Sequence, residues 1–465
     1  MTLIKSQDIL EESNIGYNNH NQVEGQVEAE DLDLFQSTQL GYGSRSIFEV
    51  SLNIVNATVG AGVIGLPYAL VLSGFTPGII LSIIVAVLTT GSLYSLIVCG
   101  RKIQVYSFAS LAEVTMGRFG FYALNAMLFI QSAGSVISYI ILIADTLPVL
   151  ASLYIPQLPI LGDRQFMTIL ISVFLVFPLN LFRSIGALAR YSAFSVFLLP
   201  IMVLTVLIRA PAYAGKNDTP LFTLGKDPVA ATGIMSFAFV CSQVAFSNYL
   251  SQKNQSLKSW SQTSGVSTFM SWMISISFAV VGYLSFGVEA NSNIFSNFDL
   301  DDPVINVGRL SLGVSMIFTV PMAFYPARDA IQKTIGLESS TRQPSKWEHM
   351  VLTVVLFIFF LLLGVHLRSL GKVYSIVGGI ASSFLAYIIP GFAYLAVFRP
   401  FSSKRHVSTD ELVPFAKPYP ITGLDQQDED INTFHSSSWL LSLCSVILVL
   451  FGTVIMLLTT ISAFK

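Results

Sequence analysis

Apolar runs long enough to cross a bilayer recur along this chain, and polar stretches punctuate them. They lie near residues 47–73, 77–99, 121–147, 166–182, 191–209, 229–251, 264–287, 304–326, 348–367, 372–397 and 438–462. The pattern predicts an all-α membrane protein of about eleven transmembrane helices. Between the second and third runs, Tyr106 to Met116 alternates apolar and polar residues at helical spacing, which predicts a short helix at the interface. Residues 1–46 are rich in acidic and amide side chains, among them Glu24, Glu28, Glu30, Asp31 and Asp33, with few large apolar ones. That composition predicts a disordered cytoplasmic tail, with a sorting or regulatory contact as its candidate role. A second polar stretch, 398–437, predicts a cytoplasmic loop before the last helix, 438–462.

Two runs are interrupted. In the first, Asn53 to Ala69 reads NIVNATVGAGVIGLPYA, and Gly60-Ala61-Gly62 with Gly65 and Pro67 is poor helix-forming sequence. Unwound backbone at membrane depth persists where protein or a water-filled cavity covers it. Such a break presents N–H groups to a carboxylate, or carbonyls to a cation or an ammonium group. The competing reading is that the small residues only let helices pack closely. In the sixth run, Gly233 to Gln252, Cys241-Ser242-Gln243 interrupts apolar sequence at mid-depth, and Ser247-Asn248 follows. If spans one to five (47–209) form one repeat and spans six to ten (229–397) the other, the interrupted helix opens each half. That is the pattern of an inverted-repeat transporter, with the eleventh helix outside it.

Composition narrows the class. Charged residues make up 11% and hydrophobic residues 53%, and mean hydropathy is +0.67, against about 25% charged in a soluble domain. With the N-terminus cytoplasmic, inner segments hold 17 of the 25 Lys and Arg and outer segments 7, with Arg309 inside the eighth span. The expected orientation is N-inside, C-outside. Asn217-Asp218-Thr219 then lies in an outer loop as a candidate glycan acceptor. The N-terminus reads as no signal peptide, so the first span is the expected insertion signal. Cys99, Cys241 and Cys444 all lie in or beside apolar runs, which argues against a disulfide framework. No metal site, nucleic-acid partner, cofactor or nucleotide-binding loop is expected, and no nucleophile–base cluster suggests an enzyme.

NATVGAGVIGLPYA in span one, GIMSFAFVCSQ in span six, GYLSFG at Gly282–Gly287 and TVPMAFYPARDAI at Thr319–Ile331 resemble the amino acid/auxin permease superfamily. ISYIILIADTLP at Ile137–Pro148 and LFRSIGALARYS at Leu181–Ser192 extend the likeness, which covers roughly residues 45–400. The sequence looks closest to the branch of fungal vacuolar amino acid transporters and animal sodium-coupled neutral amino acid transporters. The resemblance implies a LeuT-type 5+5 inverted repeat with broken helices 1 and 6, and proton- or sodium-coupled amino acid transport. Members often carry His after the Cys of span six; this chain has Ser242, which puts a carry-over of pH coupling in doubt.

Candidate residues follow. Thr58, Gly60, Ala61 and Gly62 offer backbone N–H groups to an α-carboxylate, and Ser236, Cys241, Ser242 and Gln243 face the α-amino group or side chain. Gly62→Leu is expected to block the cavity. In sodium-coupled members the positions of Asn56 and Thr319 are associated with the cation, and freed carbonyls near Thr58 and Val59 would complete its shell. The bracing of the helix break by Asn56 is the alternative. Of the ionisable residues near span ends, Glu49, Asp145, Arg309 and His366, Asp145 is the strongest candidate for a gate or proton role, with snorkelling or a gate salt bridge the expectation for all four. Tyr139 and Tyr283 either line the path or pack as aromatics. The expected function is secondary active transport of amino acids, neutral ones foremost, by alternating access. The alternative is an amino-acid sensor that signals through the acidic tail. A vacuolar or lysosomal membrane is favoured over the plasma membrane.

Overall fold

The computed structural model describes residues 41, 43–182, 185–337, 344–398 and 438–463. The expected loop at 398–437, beyond its first residue, and most of the 1–46 tail lie outside the described residues. The described chain is helical. Helix α1 is Ile47–Thr58, a 3-10 turn covers Ala61–Gly65, and α2 is Leu66–Ser73. Then come α3 (Phe75–Ile103), α4 (Phe108–Tyr154), α5 (Arg164–Ile171), a π turn (Ser172–Val176), α6 (Phe177–Asn180) and α7 (Ile185–Arg209). The second half holds α8 (Pro228–Phe239), α9 (Ala245–Ser251), α10 (Leu257–Phe286), α11 (Pro303–Thr334), α12 (Lys346–His366) and α13 (Leu370–Val377). Two π turns, Gly378–Ser382 and Phe384–Ile388, carry α13 into α14 (Ile389–Phe398), and α15 is Ser438–Ala463.

Among the described residues, 8 spans are long and apolar enough to cross a membrane. The bent pair Ile47–Thr58 and Gly62–Ser73 makes up to 9, with 56° between its arms. Arg164–Asn180 and Phe197–Tyr213 are apolar but shorter. The fourth and fifth expected spans lie in these two.

Helix ends are set by local chemistry. Ser46 and Glu49 form a reciprocal capping box at the start of α1, and Ser345 and Glu348 repeat it at α12. Asp227, Ser256 and Asp302 cap α8, α10 and α11, and Pro228 and Pro303 supply the fixed φ of a first turn. Gly117 (φ 66°) kinks α4 and so separates Phe108–Met116 from the long span that follows. Gly74 (φ 87°) turns α2 into α3 against the 221–227 loop, which is tied down by Gly225 N–H to the Ser73 carbonyl (2.9 Å) and Asp227 N–H to the Leu72 carbonyl (2.9 Å).

Buried apolar side chains form two clusters, one above the other. The first takes Val63, Leu66 and Leu70, the buried face of α8 through Phe239, the later parts of α4 and α10, and much of α11. The second takes Val50 and Ile54 of α1, then Val240, Cys241, Phe246 and Tyr249, with α14 and the later part of α3. Both interrupted helices change cluster at their break. Each break is therefore the joint between two separately packed layers.

On the side of the second layer, the residues that lead into α1 are held by the sixth span. Arg45 N–H donates to the Ser251 carbonyl (3.0 Å), Lys253 N–H to the Arg45 carbonyl (2.8 Å) and Gly41 N–H to Gln255 Oε1 (2.8 Å). Asn53 Nδ2 adds a bond to Asn248 Oδ1 at 2.7 Å.

Candidate functional site

The site builds up from the two breaks. At the first, Thr58 ends α1 with its hydroxyl on the Ile54 carbonyl (2.7 Å), and Val59 (φ −80°, ψ 73°) and Gly60 (φ −116°, ψ −147°) leave helical geometry. A Cβ built on Gly60 meets nothing within 4 Å. A Cβ on Gly62 stands 2.9 Å from Ala238 Cα of α8. Gly62 therefore seals a helix–helix contact, and Gly60 is the position that faces open space. The backbone of Ala61 begins the 3-10 turn between them.

At the second break, α8 ends at Phe239, Val240 (φ −67°, ψ 120°) is extended, and Cys241 leads into a 3-10 turn, Ser242–Val244. Pro228–Ser251 still passes as one span, without the bend of the first. The side chains of Thr58 and Cys241 face each other, which joins the two breaks. Ser236 Oγ lies 3.3 Å from Tyr387 Oη, and Ser242 Oγ lies 3.4 Å from Ser92 Oγ of α3. Gln243 is exposed, on the side of the N-terminal end of α1. At this depth α1 and α8 end in carbonyls, and the 3-10 turns Ala61–Gly65 and Ser242–Val244 begin with N–H groups that no side chain caps. A zwitterion finds partners for both its ends there without any buried protein charge.

Access differs between the two sides. Toward the N-terminal end of α1, Asn53, Asn56, Ala57, Gln243 and Ser247 are exposed. Toward the opposite, far side, residues 62–67 and 231–239 are buried. The rings of Phe237 and Tyr374 lie 4.6 Å apart there, and a Cβ on Gly65 would touch the Tyr374 ring at 2.9 Å. Tyr139 is the neighbour of Tyr374. Tyr283 is buried and donates to the Pro220 carbonyl (2.9 Å), so it braces a loop.

The candidate cation residues are apart in hydrogen-bonding terms. Thr319 gives its hydroxyl to the Ser315 carbonyl in its own helix (2.8 Å), Asn56 is exposed, and no hydrogen bond joins the two among the described residues. Pro321 has no N–H for the Ile317 carbonyl, which leaves an oxygen near Thr319 without its helical donor.

The ionisable candidates hold helix ends together. Asp145 pairs with Arg164 at 3.2 Å, and the same guanidinium donates to the Val365 carbonyl at 3.0 Å, which ties α4, α5 and α12. Arg309 donates to Asn306 Oδ1 (2.7 Å) and to the carbonyls of Phe295 and Phe298 (each 2.9 Å), stapling the loop before α11. Glu49 is spent in its capping box, and His366 Nδ1 lies 2.8 Å from the Leu362 carbonyl. Asp302 pairs with Arg209 at 2.6 Å. Burial pushes the Asp302 carboxyl up, but hydrogen bonds from Arg209 and from the Ile305 and Val304 N–H groups outweigh it, and the group sits below its ordinary value. The Asn217 amide donates to the Ser285 carbonyl (3.3 Å), so the sequon side chain is half-buried against α10.

The sequence reading passed over Tyr387, Ser92 and the Asn53–Asn248 pair. Thr89, Ser92 and Ser95 recur every three residues inside an apolar span, a polar stripe that signals an inward face.

A bundle of long apolar helices, two of them interrupted, marks an integral membrane protein. The sequence model of the transmembrane amino acid transporter protein family matches residues 43–410, and the chain belongs to that family. It is 30% identical over 377 residues to the putative sodium-coupled neutral amino acid transporter 11 of Danio rerio (79% of this chain, 83% of the relative). The Bos taurus protein of that name is 31% identical over 354 residues, 74% of each chain. Vacuolar amino acid transporter 5 of Schizosaccharomyces pombe is 27% identical over 357 residues (76% and 84%).

Proposed function

We propose that this chain is a secondary active transporter that moves amino acids, neutral ones foremost, by alternating access coupled to H⁺ or Na⁺. The observation that carries the reading is the coincidence of both helix breaks with the seam between two apolar layers. A carrier needs such a seam, because one layer must open while the other stays packed. In this reading the 8 spans, the bent pair and the two shorter apolar helices are the eleven spans, arranged as a 5+5 repeat with α15 outside it. Thr58, Gly60, Ala61 and Gly62 hold the carboxylate through backbone, and Ser236, Cys241, Ser242 and Gln243 meet the amino group and side chain. Asn56, Val59 and Thr319 are the cation candidates, and they would have to draw together on binding. The closed Phe237–Tyr374 side and the exposed α1 face correspond to a form open toward the cytoplasm, given the N-inside orientation that the Lys and Arg distribution favours. The vacuolar relative supports a vacuolar or lysosomal membrane.

The test is uptake by proteoliposomes of a labelled amino-acid panel under separate pH and sodium gradients. Concentrative uptake driven by one gradient is expected. Binding without flux under either gradient overturns the carrier reading.

A further inference from the structure

A cavity lies away from the breaks. It has a volume of about 420 Å³, within the range of small-molecule sites, and sits between the end of α4 and the starts of α5 and α11. Its walls are apolar: Leu147, Leu150, Met167 and Leu310. Its polar groups, Tyr154 and Asn306, stand at one end, in the last turn of α4 and the first turn of α11. Two helices set the same depth. Leu147 precedes Tyr154, and Leu310 follows Pro303, by a distance along each axis of about 10 Å. The groove thus starts where the helices emerge and runs into the hydrocarbon. Its flanks face lipid: Tyr154 is 61%, Val307 52% and Leu310 52% exposed.

We infer that this groove binds one acyl chain of a glycerolipid from the leaflet on the far side. A polar rim above an apolar shaft matches an amphiphile standing in that leaflet. One leaflet's hydrocarbon is about 15 Å deep, so the groove takes the upper part of a chain and leaves its flexible end in the bilayer. The Tyr154 phenol accepts from Asn306 Nδ2 at 3.4 Å and, among the described residues, keeps its own O–H free to donate. A glycerol ester carbonyl at the rim is the acceptor assigned to it. Leu147 also closes on Gly313 of α11, where a Cβ would meet it at 2.5 Å, so the occupant bears on the seam between α4 and α11.

The test uses the full chain in nanodiscs of phosphatidylcholine doped with a phospholipid carrying a photoreactive diazirine on one acyl chain, followed by peptide mapping. Crosslinks are expected to concentrate at 147–167 and 303–310. Val307→Trp, which fills the mouth, is expected to cut them about tenfold, and Tyr154→Phe about fivefold, the loss of one hydrogen bond. Val87→Trp, on the exposed face of α3, leaves the yield unchanged. Crosslinks spread over all lipid-facing segments and indifferent to Val307→Trp overturn the site. Capture of a photoreactive sterol in place of the acyl probe, or an unchanged yield in Tyr154→Phe, overturns it as well. Should Val307→Trp not yield a monodisperse protein, Tyr154→Phe alone decides.

Discussion

The first span breaks at glycines and bends by 56°, whereas the sixth breaks at Val240 and Cys241 and still runs as one span from Pro228 to Ser251. They solve one problem by different means. In the first, the absence of side chains shapes the break: Gly62 lets the turn lie on Ala238, and Gly60 leaves a space. In the sixth, hydroxyls flank the break and reach other helices, Ser236 to Tyr387 and Ser242 to Ser92. One break is held by fit and the other by hydrogen bonds. Fit fails steeply when volume is added, and hydrogen bonds fail by about 1 kcal/mol each when a partner is removed.

The sharpest way to break this contrast is Gly62→Leu. A side chain where a single Cβ already meets Ala238 at 2.9 Å is expected to drive α8 away and reduce uptake to background in a protein that still inserts. Wild-type flux, measured beside gel filtration, would show that fit at this contact is dispensable. Next comes Tyr387→Phe with Ser236→Ala. Each single change is expected to cost about 1 kcal/mol and several-fold in uptake, with the double change less than additive. Zero coupling in that cycle would deny the sixth break its hydrogen-bonded support. Asp302→Asn tests whether the far ends of the spans share the bonded logic. The folded carboxyl sits below its ordinary value, so its contribution is complete above the ordinary carboxylate range near 4 and is lost as pH falls through the lower folded value. The variant's melting temperature is expected to fall short of wild type at pH 7, with the gap beginning to narrow below about pH 4. A gap that does not narrow as pH falls from 7 through the acid range contradicts the assignment. The smallest effect belongs to Gly60→Ala, which is expected to stay within about 0.5 kcal/mol of wild type in stability while raising KM for large neutral amino acids. A large drop in melting temperature would show that Gly60 is not facing open space.

The contrast also marks what sequence alone discloses. Span positions follow from length and apolarity, and the Gly60–Gly62 break follows from propensity, because both are local properties. The capping box at Ser46 and Glu49 is equally local, an S-x-x-E pattern, although Glu49 enters the sequence reading only as a charge near a span end. Which glycine seals and which opens depends on α8, a segment some 170 residues away, and no local pattern encodes it. The same holds for Arg309, an intramembrane charge by sequence and a loop staple in the fold. The separation of Asn56 from Thr319 in hydrogen bonding is likewise a property of helix placement, which the two motifs do not carry.

The pairing of Arg45 with Ser251 and Lys253 has a mechanical outcome. Together with Asn53–Asn248 it clamps α1 to α9 at both ends of a short lever. In the proposed carrier, the arms of the two interrupted spans on that side would therefore move as one part. A spin label on Ser44 and another on Ser247 should keep a constant separation throughout turnover, while either one changes its distance to α11.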